Sequence, residues 1–378
     1  MIPTLSTIPL LQLASGDRLA LQVYRFRGAK PGKKAYLQSN LHGAEISGNE
    51  VIHRAIGFLR ELDASQLAGE IWLVPVCNPL GVNQRSHHFS SGRYNIYDGK
   101  DWNRIFWDYE KTGEEIATFA RSQLDLEPEA IIENYRQKIL QKFRSLQAEI
   151  EAPSRVTYGE YYRYQLQSLC LDADYVIDLH SSTNRAIDYL YCFHSREDSA
   201  RAFLLDYGIL MNEYDGDAFD EAFLKPWLAL ERELSNLGKP IQFDIESWTL
   251  ELGSGMEMNP ESVDRGFLGV INYLASKGML NVENFPRKET EIYPIKLTPK
   301  SRVNKYYAPH GGMFKTDISA GDYIKAGQKI YDILSFDKVE NKSELIPGFA
   351  EAGGLVFDVA RNQSVNQFDY MLSVMEGD

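Results

Sequence analysis

Along the first two-thirds of the chain, short apolar runs that end in turn signals alternate with stretches whose apolar residues recur at helical spacing. "KKAYLQSNLHG" follows a Pro-Gly turn and reads as a strand. "NEVIHRAIGFLREL", just behind it, repeats apolar residues as one face of a helix does. "GEIWLVPVCNP" is a continuous apolar run stopped by Asn-Pro, the mark of a buried strand running into a turn. "ADYVIDLHSST" repeats that pattern with a histidine at its end. "ALERELSNLGKP" is a helix stopped by Gly-Lys-Pro before the strand "SWTLELGSG", and "RGFLGVINYLASKGML" is an amphipathic helix. Strands alternating with helices predict an α/β domain with a largely parallel sheet and flanking helices.

Two regions break this rhythm. Residues 110–170 contain "EEIATFARSQLDLEPEAIIENYRQKILQKFRSLQAEI", charged, helical in spacing and poor in glycine. They read as a helical insertion, either a solvated lid or flank or an arm for dimerisation. From about residue 295 the pattern turns to short strands between Gly and Asp turns, as in "YYAPHGGMFKTDISAGDYIKAGQKIYDIL". This all-β module, residues 295–378, resembles the barrel-sandwich fold of biotinyl and lipoyl domains, without a lysine at the hairpin tip where a cofactor would be attached.

Composition adds bounds. The chain has 378 residues, 44% hydrophobic and 25% charged, ample for a core. A net charge of −13 argues against a nucleic-acid partner, whose phosphates would be repelled at long range. An anionic small molecule remains compatible, since local arginines dominate within a screening length of about 8–10 Å. Cys77, Cys170 and Cys192 are far apart and lack C-x-x-C spacing, which fits a reducing compartment. With no long apolar run or secretory leader, a cytoplasmic protein without membrane contact is expected.

The candidate chemistry sits at strand ends, where open α/β sheets gather their ligands. His42 and Glu45 follow one strand and His180 follows another. Alone, His-x-x-Glu or a terminal histidine is an ordinary turn feature. Together, two imidazoles and one carboxylate match the ligand set of catalytic zinc, with a fourth position left for water. Asp178 lies two before His180, so the two side chains share a strand face. It reads equally as a partner of that imidazole or as an unrelated buried carboxylate. Glu246 is an odd number of residues before Glu251, which assigns them to opposite faces.

Between these strands lies "NPLGVNQRSHHFSSGRYNIYDGKDWNRIF". His42-Gly43-Ala44-Glu45, Asn78-Pro79, Asp101-Trp102-Asn103-Arg104, Asp178-Leu179-His180 and Thr249-Leu250-Glu251-Leu252-Gly253 occur in this order. That succession resembles the succinylglutamate desuccinylase/aspartoacylase family, a branch of the zinc carboxypeptidase superfamily, over about residues 35–255. The resemblance implies a zinc-carboxypeptidase-like mixed sheet flanked by helices, with residues 1–294 as a hydrolase domain. It implies one zinc per chain held by His42, Glu45 and His180, with Asp101 orienting an imidazole, His42 by preference. Asn103 and Arg104 would clamp a substrate carboxylate, and Glu251 would be the general base.

The family also uses an upstream arginine at the oxyanion. Arg93 lies nearer the expected spacing from Asn103, and Arg85 nearer that from Asn78-Pro79; Arg93 is preferred. His87 and His88, between them, read as loop residues. The expected reaction is amide hydrolysis of an N-acyl amino acid or similar small carboxylate. A carboxypeptidase acting on peptides and a non-catalytic accessory binding protein are the alternatives, and homo-oligomerisation stays open.

Overall fold

In the computed structural model, residues 1–85, 90–113, 115–152, 154–212, 216–286, 294–339 and 341–377 are described. The apolar runs become β1 (Thr4–Gln12), β2 (Arg18–Arg27), β3 (Lys30–Ser39), β4 (Ala68–Val74), β5 (Tyr175–Ser182), β6 (Arg185–Ala186), β7 (Tyr189–Phe193), β8 (Tyr207–Met211), β9 (Glu246–Ser254) and β10 (Lys296–Pro299). The helices are α1 (Ser47–Glu61), α2 (Pro79–Asn83), α3 (Ile116–Ser122), α4 (Pro128–Arg144), α5 (Gln147–Ile150), α6 (Tyr158–Gln167), α7 (Glu197–Ala200), α8 (Phe219–Asn236) and α9 (Pro260–Ser276).

Among the described residues, nine strands form one sheet in the order β1-β2-β4-β3-β5-β9-β7-β8-β10. The centre, β4-β3-β5-β9, is parallel, while the pairs β1-β2, β2-β4 and β9-β7 are antiparallel, so the sheet is mixed. Helices cover both faces, which is why β5 is buried along almost its whole length rather than alternating. On one face, Val51, Ile52 and Leu59 of α1 and Val270, Ile271 and Leu274 of α9 pack on Ile177 and Leu250. On the other, α8 and the inserted helices pack on Tyr36 and Val176.

The insertion is core, not a solvated lid or flank. Ile131, Tyr135, Ile139 and Phe143 recur every four residues along α4 and are buried. Tyr135 meets Trp227 of α8 edge-on at 5.3 Å, and Phe143 stacks on Tyr164 of α6 at 4.5 Å. Burial of each such side chain stabilises by about 1.5–3 kcal/mol. The charged residues that give the segment its polar look occupy the outer helix faces.

The boundary expected at 294/295 also shifts. Residues 296–299 form β10, which pairs parallel with β8 and completes the main sheet. The β module therefore begins later, with β11 (Val303–Tyr307), β12 (Gly312–Lys315), β13 (Tyr323–Ile324), β14 (Lys329–Asp337), β15 (Lys342–Phe349), β16 (Gly354–Val359), β17 (Ser364–Val365) and β18 (Tyr370–Glu376). Its strands form two antiparallel sheets, β11-β18-β16-β13 and β15-β14-β12-β17, over a core of their own that includes Phe314, Ile333, Val356 and Leu372. The two parts are stitched together, because β6 of the α/β domain pairs with β16 of the module. Among the described residues no helix is long and apolar enough to cross a membrane.

Candidate metal centre and cleft

The chain leaves β3 through Asn40, whose φ of 66° turns it sharply over the sheet edge. Asn40 Nδ2 donates to Glu45 O over 2.9 Å and ties that turn to the start of α1. The loop carrying Arg93 is laid against this turn by backbone bonds. Gly43 N–H donates to Gly92 O over 3.2 Å and Ala44 N–H to Ser91 O over 2.9 Å. A Cβ at Gly43 or at Gly92, whose φ is +57°, would run into the Gly81 backbone. Three glycines thus let three segments touch where side chains would hold them apart. That contact explains the glycine between His42 and Glu45.

His42, Glu45 and His180 are buried, and one ligand atom from each lies within 4.8 Å of the others. His42 Nδ1 is 2.9 Å from Glu45 Oε1, and His180 Nδ1 is 2.7 Å from Glu45 Oε2. The opposite ring nitrogens donate to carboxylates: His42 Nε2 to Asp101 over 2.9 Å and His180 Nε2 to Asp178 over 2.9 Å. Each imidazole is thereby held with Nδ1 facing inward, as in carboxylate–histidine–metal arrangements. Burial acts to raise the Glu45 carboxyl, but the charges and hydrogen bonds of His42 and His180 outweigh it and hold Glu45 well below the usual carboxylate range. Asp101 is likewise held low, as His42 and Arg93 outweigh its burial. The donor set and its burial fit a zinc ion bound through two nitrogens and an oxygen.

Arg93 enters the cleft between two of these groups. Its Nε donates to Asp101 Oδ2 over 2.9 Å, and its Nη1 is 3.9 Å from Glu45 Oε1. Burial acts to lower its pKa, but Asp101 and then Glu45 raise it, so it stays a cation. Arg85 is elsewhere: its exposed guanidinium donates to Val82 O and Gln84 O, over 2.8 and 2.7 Å. His87 and His88 lie outside the described residues. Asp101 caps the short turn of residues 102–104 by accepting from Asn103 N–H over 2.8 Å. Asn103 and Arg104 both line the cleft. Asn103 Oδ1 accepts Phe219 N–H over 2.8 Å, which ties the turn to the start of α8.

Glu251 stands on β9 in register with His180 on β5. Its Oε2 is buried without a hydrogen-bond partner among the described residues. Burial first, and then the charge of Glu45, pushes its carboxyl up to about 7. Glu246, on the same strand, accepts from Tyr273 Oη over 2.7 Å within the core, on the opposite face as its spacing requires. The cleft that joins these groups has a volume of about 820 Å³, ordinary for a small-molecule site.

Asp178 resolves as the partner of His180, which its two-residue spacing had left open. Several cleft residues carry no mark in the sequence. Tyr189 and Tyr191 of β7 enter the cleft with strand periodicity, a signal present in "DYLYCF" but without a motif to mark it. Tyr307, Asp358 and Tyr370 come from the β module, which no sequence spacing connects to the metal ligands.

The comparisons with known proteins agree on the family. The model of the succinylglutamate desuccinylase/aspartoacylase catalytic domain matches residues 31–276. A solved succinylglutamate desuccinylase/aspartoacylase family protein from Shewanella amazonensis is 29% identical, with a TM-score of 0.85 over 98% of each chain. A second, from Shewanella frigidimarina, is 26% identical with a TM-score of 0.85, covering 99% of this chain and 97% of its own. The product-bound ectoine utilization protein of Ruegeria pomeroyi shares the fold at 15% identity and a TM-score of 0.66, covering all of this chain and 95% of its own. No curated protein matches the chain. With its catalytic-domain match running from β3 through α9, the chain belongs to the succinylglutamate desuccinylase/aspartoacylase family.

Proposed function

We propose that the chain is a zinc-dependent hydrolase that cleaves the amide bond of an N-acyl amino acid or a similar small carboxylate. The observation that carries this reading is the carboxylate oxygen of Glu251, without a partner among the described residues and buried in the same cleft as the His42, Glu45 and His180 ligand set. A pure binding protein has no use for an unsatisfied base beside a metal site. The sheet with its ligands at the parallel strand ends supports a carboxypeptidase-like scaffold. The three cysteines are unpaired and buried, which supports a reducing compartment, the cytoplasm.

Zinc, when bound, would supply a Lewis acid that polarises the scissile carbonyl and makes water more acidic. The residues of the chain account for the remainder. Asp101 and Asp178 keep both imidazoles oriented. Glu251 accepts a proton from the attacking water and returns it to the leaving nitrogen. Arg93, charged and held by Asp101, faces the oxygen on which negative charge develops. Arg104 and Asn103 bind the carboxylate of the amino-acid part.

Turnover of a panel of N-acyl amino acids, set against peptides with a free C-terminus, decides between the deacylase and the carboxypeptidase. Tight binding without turnover of either would leave the accessory binding protein.

Two further outcomes are expected. His180→Ala protein should contain much less zinc by elemental analysis than the wild type; equal content would remove His180 from the site. Arg104→Ala should raise KM strongly with a smaller change in kcat, because a carboxylate clamp acts in the ground state as well as the transition state. The same variant should narrow the preference for a carboxylate substrate over its amide analogue. An unchanged preference would place the clamp elsewhere.

A further inference from the structure

The β module meets the strand that carries His180 at one buried carboxylate. Asp358 of β16 is 6% exposed and lines the cleft. Three donors converge on it from both parts of the molecule. Ser182 Oγ, two residues beyond His180, donates to Oδ2. Asn184 Nδ2 donates to Oδ1 over 2.8 Å, and Tyr370 Oη of β18 donates to the same oxygen over 2.5 Å. The backbone continues the junction, since Asp358 and Val359 pair with Ala186 and Arg185. Ile187 N–H then donates to Phe357 O over 3.1 Å. Arg361 completes it by donating to Gly255 O over 3.0 Å.

Beyond Ser182, the last residue of β5, residues 183–187 thus leave the main sheet and are held from the module. Ser182 and, in this segment, Thr183 and Asn184 line the cleft. Apolar contact already joins the two surfaces, with Tyr189 edge-on to Phe357 at 5.2 Å. Such contact sets little direction. A carboxylate that accepts three bonds fixes the relative placement of all three donors, and its burial is costly unless every one is present.

We propose that Asp358 is a positioning residue that locks the cleft-lining segment 182–187 to the β module and so sets the substrate-binding wall beside His180. The kinetic part of this proposal rests on the amide-hydrolase reading above; the structural part does not.

The test compares Asp358→Ala, Tyr370→Phe and Ser182→Ala with Thr316→Val. The last removes a bond to Ile330 O within the module, away from the junction. Amide hydrogen exchange needs no substrate. Asp358→Ala should lose protection at residues 185–187 and retain it at residues 175–180. Zinc content should stay at the wild-type level. KM should rise about tenfold or more, the equivalent of one lost charge-assisted hydrogen bond, with a smaller change in kcat. Tyr370→Phe and Ser182→Ala should shift both readouts in the same direction by less, and they carry the test if Asp358→Ala does not fold. Thr316→Val should change neither. Unaltered exchange at 185–187 in the junction variants overturns the proposal, as does a wild-type KM. If the wild-type protein turns over no N-acyl amino acid, the functional reading fails, and the exchange data alone decide the role of Asp358.

Discussion

Glu251→Gln is expected to keep its zinc and lose at least about 10²-fold in kcat, the range in which a positioned general base acts. The substitution preserves shape and removes the ability to accept a proton. The argument rests on where Glu251 stands. Its β9 position is in register with His180, its Oε2 has no partner among the described residues, and burial pushes its carboxyl up to about 7. A base must be deprotonated to work, so kcat/KM should rise with pH through its pKa. A bound divalent cation would pull that pKa down, so the acid limb should lie at or below about pH 7. The limb should vanish in Glu251→Gln. A zinc-replete variant with near-normal kcat, or with an unaltered acid limb, would remove Glu251 from the mechanism.

The second large effect is expected at Arg93. Arg93→Ala should lower kcat by about 10²–10³-fold, the usual cost of losing a donor to a developing oxyanion. Arg85→Ala should leave kcat unchanged, because its guanidinium is spent on the carbonyls of Val82 and Gln84 at the surface. Since Arg93 also braces Asp101, zinc content has to be measured beside the kinetics. Full zinc with a collapsed kcat supports a transition-state role. Lost zinc would make Arg93 a brace for the metal ligands instead. A fall in kcat confined to Arg85→Ala would reverse the assignment of the two arginines.

The candidate His42-Glu45-His180 cluster was legible because its residues obey local rules. His42 and Glu45 share one turn, and Asp178 and His180 share one strand face. The α/β alternation was legible because buried parallel strands read as unbroken apolar runs. Three features were not. The inserted helices pass for a solvated flank by composition, because one buried stripe of four residues is diluted by charge on every other face. Residues 296–299 look like the start of the β module, since an edge strand has the same short, turn-bounded texture in either sheet. The cleft wall supplied by Tyr307, Asp358 and Tyr370 depends on how two folded parts dock, and no sequence periodicity encodes that.

The pairing of β6 with β16 bears on how the protein is made. Ala186 leaves the ribosome long before Asp358, its partner in the ladder. At about 5–20 residues per second, the segment after His180 waits roughly ten to thirty seconds for the strand that holds it. The three candidate ligands and the main sheet up to β9 have all emerged before that strand exists. Maturation of the cleft is therefore tied to completion of the chain, and a polypeptide released before residue 354 would carry all three candidate ligands beside an unsupported wall.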